Sequence, residues 1–207
     1  MRKLILKMSM SLDGFVGGPE GQAGWVFGAD AEAVAWTVET VWNASLHIMG
    51  SHTFRDMAAY WPTSTEVFAP PMNQIPKAVF SRQGLTAAAT TRALTDARAQ
   101  AGDTQTGQLQ AGAESWAQAY VAAGDLTDEI NGLKAQDGKP IVAHGGAGFA
   151  RSLIVRDLVD EYALLVHPIA LGKGLPIFSD LPAPRRLELV SAKVFPGGAM
   201  AQIYRPG

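Results

Sequence analysis

The chain contains no cysteine, no block of like charge and no hydrophobic run long enough to cross a bilayer. Each absence removes a class of function. Without thiols there is no disulfide framework, no thiolate nucleophile and no cysteine-based metal site, which fits a reducing compartment. Seventeen Lys and Arg face 19 Asp and Glu, a formal net charge of -2, so no electrostatic footprint for nucleic acid or for a membrane surface is expected. The start, Met1-Arg2-Lys3, is basic, but Lys7 interrupts the apolar stretch that follows. It lacks the apolar core and cleavage site of a signal peptide and reads as a first strand, which points to a cytoplasmic protein. The four histidines show no paired metal-ligand spacing, and no serine sits in a nucleophile-elbow pattern. Neither a metal site nor serine hydrolysis is expected.

What is present is apolar. Hydrophobic residues make up 47% of 207 residues, enough to build the core of one sizeable domain. Short apolar runs at 4–10, 46–49, 78–80, 117–122, 141–143 and 161–167 read as strands. Helical patterns follow Asp30 (to about Val41), Thr53 (to Tyr60, stopped by Pro62) and Asp125 (to about Ala135), and another runs to Arg156. A proline-rich loop is expected between Pro62 and Pro76. The last two strands, 187–194 and 200–204, read as a hairpin about Pro196-Gly197-Gly198. Strands alternating with helices predict an α/β fold, a three-layer, mostly parallel twisted sheet with helices on both faces and an antiparallel C-terminal edge. One domain over 1–207 is expected. Segment 84–113, rich in Ala, Thr, Gln and Gly, has Leu85, Leu94 and Leu109 as its only large aliphatics, so it is expected to be a flexible or lightly docked insertion carrying one short helix.

The stretch Pro140 to Arg151 joins a buried strand to a helix through Gly145-Gly146-Ala147-Gly148. Glycines there let the backbone approach a ligand, and a helix N-terminus offers unpaired N–H groups to a phosphate. Close packing of strand and helix explains the same glycines equally well. The dinucleotide fingerprint is incomplete, because Arg151 follows the Gly146-x-Gly148 pair.

Several stretches together, MSMSLDGFVGG, IMGSHTFRDM, AVFSRQ, IVAHGGAGFA and DEYALLVHPIALGKGLPIF, resemble the dihydrofolate-reductase-like superfamily. The branch they resemble is the reductase domain of riboflavin biosynthesis and its stand-alone bacterial relatives. That resemblance implies an NADPH-dependent reductase of a small heteroaromatic or carbonyl-type substrate, of the pterin or ribosylamino-pyrimidine class, with NADH as a possible cofactor and a homodimer as the assembly. It also implies cofactor contacts. Gly145, Gly146, Ala147 and Gly148 would meet phosphates. Gly50, Ser51, His52 and Thr53 would hold the pyrophosphate and adenosine phosphate, Ser81 and Arg82 the adenosine side, and Met8, Ser9, Val16 and Gly17 the nicotinamide. Ser51 stands where the family usually carries Arg or Lys, which leaves Arg82 and His52 to read a 2′-phosphate, Arg82 being the better suited because it is always charged.

Hydride transfer asks little of the protein beyond alignment and a proton. Asp30 follows Trp25 in a spacing that resembles the ring-binding acid of dihydrofolate reductase and is the catalytic candidate; its other reading is a plain helix cap. Asp13 reads as a turn residue or a substrate contact. Trp25, Phe27, Tyr60 and Trp61 are candidate walls for a flat ring, though core packing also explains them. Lys173, in a glycine-rich loop, could meet an anionic substrate group. His167 ends a strand at the edge where α/β ligands bind. A binding protein that kept the fold and lost turnover is the alternative function.

Overall fold

The computed structural model describes residues 1–81, 87–99 and 107–207. They form two compact units, 1–2 with 38–142, and 3–37 with 143–207.

In the first unit, strands β2 (Leu46–Gly50), β3 (Lys77–Phe80) and β4 (Tyr120–Ala122) run parallel, in the order β4-β3-β2, with β5 (Ile141–Ala143) next to β2. Every residue of β3 and β5 is buried, as continuous apolar runs in a covered parallel sheet must be. Helix α1 (Ala31–Trp42) ends in this unit. Helices α2 (Ser51–Tyr60) and α6 (Leu126–Ala135) begin where the sequence turns polar after a strand. Asp125 caps α6 as expected, accepting from the N–H groups of Thr127 at 2.8 Å and Asp128 at 3.4 Å.

One expectation fails in this unit, and a second, the short helix of segment 84–113, is met by a helix that packs on the core rather than docking lightly. The proline-rich stretch contains helix α3 (Ala69–Gln74) rather than loop alone, because Pro70 and Pro71 fall in its first turn, where a backbone N–H has no helical partner to lose. Segment 84–113 supplies helix α4 (Ala87–Ala99), in which Ala93 and Ala97 are buried, and Ala113 beyond it is buried as well. Small side chains brought the helix close instead of leaving it loose: Ala93 lies in one apolar cluster with Phe54, Met49, Val79 and Trp116. The remaining parts of that segment, 84–86 and 100–106, lie outside the described residues.

Trp116, just after the start of α5 (Glu114–Ala117), organises this cluster. Its ring lies 5.7 Å from that of Phe54, and its Nε1 donates to Asn73 Oδ1 at 2.8 Å. The Lys77 ammonium stands over the ring, 4.7 Å from its centroid, and donates to the Ile75 carbonyl and to Ser115 Oγ. Burial pulls Lys77 down to about 7, and burial with the adjacent Lys77 charge pulls His47 down to about 3. Both side chains serve packing.

The second unit holds β1 (Leu4–Ser11), β6 (Glu161–His167), β8 (Met200–Pro206) and β7 (Leu187–Val194), in the order β1-β6-β8-β7. β1 and β6 are parallel, and β8 is antiparallel to both β6 and β7. In β1 the buried residues Leu4, Leu6, Met8 and Met10 alternate with half-buried Ile5, Lys7 and Ser9, the period of a strand with unlike faces. Helix α7 (Ala147–Val155) follows the glycine turn. Among the described residues no helix is long and apolar enough to cross a membrane.

Candidate active site

At the carboxyl ends of β1 and β6, two loops are pinned to each other. Leu12 N donates to the Ile169 carbonyl, Val16 N to that of Leu175, and Leu175 N to that of Gly17. Asp13 completes the seam. Its carboxylate accepts from Leu171 N at 3.1 Å and Gly172 N at 2.7 Å; a hydrogen bond from the Ser11 side chain first, and then these backbone bonds, hold it down at about 2. Asp13 therefore acts on the backbone of the 169–175 loop. Lys173 in that loop is exposed. The seam explains Gly174: a Cβ there would lie 2.2 Å from the Gly17 carbonyl oxygen and 3.0 Å from Phe15 Cβ. Backbone cannot yield as a side-chain tip can, so Gly174→Ala should cost about 1–3 kcal/mol. A thermal melt unchanged by this substitution would mean that the two loops do not pack as described.

Asp30 is an N-cap. Its Oδ1 accepts from Glu32 N at 2.9 Å and Ala33 N at 3.1 Å, and its Oδ2 accepts from Gly197 N at 2.9 Å. The Gly197 contact ties the β7–β8 hairpin turn to the start of α1 and was not visible in the sequence. Both Asp30 oxygens accept from backbone donors, three bonds in all.

The polar groups left without partners lie elsewhere. His167, the last residue of β6, is 4% exposed, and its Nε2 has no hydrogen-bond partner among the described residues. The Trp25 ring meets it edge-on at 5.2 Å and 81°, and Trp25 Nε1 is also buried without a partner among the described residues. In the parallel register Ser11 faces His167 and Ser9 faces Leu165, so His167 shares the β1 face that carries Lys7 and Ser9. Lys7 has no ion pair or side-chain hydrogen bond among the described residues, and burial pulls its ammonium from 10.5 to about 8. His167 is lowered by burial first and then by the Lys7 charge. Buried polar groups are normally satisfied. Two buried groups without partners among the described residues, Trp25 Nε1 and His167 Nε2, lie near the half-buried Lys7, and together they offer a place for a ligand. Lys7 escaped the sequence reading, although one signal was available: a lysine within an otherwise apolar strand of a chain with no use for it in the core.

The glycine turn lies in the same unit. Gly145 has φ +85, and a Cβ on it would stand 3.1 Å from the Met8 side chain. The Gly145–Gly146 peptide bond is cis. Gly146 begins α7 without a side-chain cap, and a Cβ on Gly148 would meet nothing within 4 Å. The first-turn N–H groups of α7 and the open space beside Gly148 fit a phosphate. In the first unit, Gly50 begins α2, again without a side-chain cap, followed by half-buried Ser51 and Thr53 and exposed His52. Ser81 is half-buried directly after β3, while Arg82 lies outside the described residues. Tyr60 is occupied, its hydroxyl donating to Glu66 and its ring edge-on to Trp61 at 4.9 Å.

This is the α/β fold of the dihydrofolate-reductase-like proteins, mostly parallel, with an antiparallel C-terminal edge. The chain belongs to the RibD C-terminal domain family, whose model matches residues 2–201. It is 25% identical over 206 residues to the uncharacterized protein YyaP of Bacillus subtilis (strain 168), covering 98% of this chain and 94% of that one. Acinetobacter baumannii RibD (form 1) is similar in structure, with a TM-score of 0.67 at 17% identity, over 100% of this chain and 58% of that one. So is a diaminohydroxyphosphoribosylaminopyrimidine deaminase/5-amino-6-(5-phosphoribosylamino)uracil reductase from Thermotoga maritima, with a TM-score of 0.63 at 17% identity, over 100% of this chain and 57% of that one. The chain thus spans less than three-fifths of these two solved chains, and the likeness to them is one of fold.

Proposed function

We propose that the chain is a nicotinamide-dependent reductase whose substrate is a small heterocycle presenting carbonyl or anionic oxygens, of the ribosylamino-pyrimidine class. The observation that carries this reading is the unsatisfied group of Lys7, Trp25 and His167. An indole N–H and an ammonium only donate, and a histidine Nε2 donates in one of its tautomers. Such a set matches a uracil-like dione or a phosphate. The protonated amino-ring of a pterin asks instead for a carboxylate, and Asp30 already accepts from three backbone N–H groups.

The cofactor in this reading is NADPH, with NADH as the weaker alternative, and it supplies the hydride when bound. In the second unit, Gly145 to Gly148 would hold its phosphates. Ser9, Val16 and Gly17 would flank the nicotinamide. Arg82 would distinguish a 2′-phosphate. Lys7, near neutrality in its proton affinity, would hold or give the proton that accompanies reduction. A cytoplasmic location accompanies this activity.

Fluorescence titration with NADPH and NADH, followed by addition of a ribosylamino-pyrimidine or a pterin, tests the reading. NADPH binding is expected, with oxidation on adding the pyrimidine and little with the pterin. Binding without oxidation by either would favour a non-catalytic nucleotide-binding protein. Gly148→Val checks the phosphate contact: the fold has room for the side chain, so the melting temperature should hold while NADPH affinity falls by about tenfold or more, the worth of a charge-assisted hydrogen bond. Unchanged affinity would remove the glycine turn from the cofactor site.

A further inference from the structure

His167 stands between the two other groups of the β1–β6 face. The Trp25 ring meets it edge-on with centroids 5.2 Å apart, and the Lys7 charge acts on it electrostatically. Burial and that charge both lower its proton affinity, so at neutral pH the imidazole is uncharged and one of its nitrogens accepts a hydrogen bond. Its two neighbours, an indole N–H and an ammonium, only donate. The strand register sets the spacing. Lys7 stands beside Ala163 and His167 beside Ser11, four residues further along, or about 13 Å of strand. The row between them is Ser9 and Leu165, and Leu165 is buried. A lysine reaching in from one end and an imidazole at the other leave a gap that a six-membered ring fills.

Donor, acceptor, donor in that order describes the complement of one heterocycle edge. The matching edge runs carbonyl oxygen, ring N–H, carbonyl oxygen, which is an imide. We propose that His167 is a specificity-determining residue that reads the imide edge of a uracil-class ring: His167 Nε2 accepts from the ring N–H, while Trp25 Nε1 and the Lys7 ammonium donate to the carbonyl oxygens on either side. The proposal rests on the reductase reading above and deepens it.

Other occupants fit the face less well. A phosphate needs Nε2 to carry the proton, and the apolar floor at Leu165 suits a flat neutral ring better than an ion that must shed its water. A cytosine-type edge runs acceptor, acceptor, donor. It would set a bare ring nitrogen against the His167 lone pair and an amino group against a donor, and unmatched buried polar groups are what reject an isostere. The imide edge also orients the substrate. On a ribosylamino-uracil the imide N–H lies across the ring from the carbon that bears the sugar. Held at His167, the ring points its sugar side the opposite way.

Ligand-observed NMR titration of the full chain, without cofactor, tests the proposal with N1-methylated rings, in which the imide edge alone keeps a ring N–H. 1-Methyluracil should bind. 1,3-Dimethyluracil, which lacks the N–H, and 1-methylcytosine, similar in size, should each bind about tenfold more weakly or worse. In His167→Phe the preference for 1-methyluracil over 1-methylcytosine should fall to about threefold or less. His167→Gln, whose amide oxygen accepts, should keep most of it. A merely structural His167 would change the affinity for both rings alike. Circular dichroism confirms that each variant is folded, and the ligand series in the parent is decisive by itself should His167→Phe fail to fold. A parent that does not bind 1-methyluracil, a parent that binds 1-methylcytosine equally well, or a folded His167→Phe that keeps the full preference would overturn the proposal. So would displacement of 1-methyluracil by millimolar inorganic phosphate, which would assign the face to an anion. None of these measurements involves cofactor or turnover, so their failure is distinct from a failure of the nicotinamide titration.

Discussion

Lys7→Met should lower turnover by about a hundredfold or more and at the same time make the protein more stable. The two effects share one cause. The Lys7 ammonium lies on a half-buried strand face with no ion-pair partner among the described residues, and desolvation draws it from 10.5 to about 8. In the unfolded chain the lysine returns to its ordinary value, so between about pH 8 and 10.5 the unfolded state binds more protons and stability rises with pH. Below about pH 8 the fold carries the whole cost of the charge, at most about 3 kcal/mol. Methionine fills a similar volume without that cost. Thermal melts at neutral pH should therefore rise, and the pH dependence of stability between about 8 and 10.5 should flatten. Turnover in the parent should fall above about pH 8, as the ammonium loses its proton. A variant that is both less stable and fully active would show Lys7 to be a structural residue.

The largest loss of stability is expected at Trp116. Trp116→Ala should cost about 3–5 kcal/mol, a large share of the 5–15 kcal/mol that holds a typical domain together. The side chain is fully buried. Its removal opens a cavity against Phe54 and Ala93, leaves Asn73 Oδ1 without its donor, and takes the ring from under Lys77. Trp116→Phe separates these contributions: it keeps most of the packing and loses only the Nε1 hydrogen bond, at about 1–3 kcal/mol for the unsatisfied acceptor. Urea denaturation measures both variants. Amide exchange in α4 should quicken in Trp116→Ala, because Ala93 packs in the Trp116 cluster. A melt within a degree or two of the parent would show that this cluster is not the core of its unit.

Trp116 and Ala93 also show where sequence reading loses its grip. Segment 84–113 has few large aliphatics, and composition alone makes it a poor core former. Burial does not require bulk, however. Alanines let helix α4 approach closely, and the partner that fills the space is a tryptophan outside the segment. The prolines of the 62–76 stretch misled in a similar way. Their effect on a helix depends on position, and Pro70 and Pro71 fall in the one turn that tolerates them.

The site follows the same division. The glycine turn, the Asp13 turn and the Asp30 cap were readable, because each depends on chemistry within a few residues of its own position. What those residues touch at long range was not. Asp30 reaches Gly197 and Asp13 reaches Gly172 only because hairpins and crossovers bring them there. The convergence of Lys7, Trp25 and His167 depends on the parallel register of β1 on β6, which sequence periodicity does not specify.

By itself the sequence determined the alternation of strands and helices, the covered parallel strands, the local caps and turns, and the resemblance that implies a reductase. Period, propensity and capping are properties of neighbouring residues, so they survive without a third dimension. Tertiary structure decided which polar groups remain unsatisfied, and therefore where a ligand is needed. It also decided the bulge at Val190 of β7, since a face is defined only once a strand is paired.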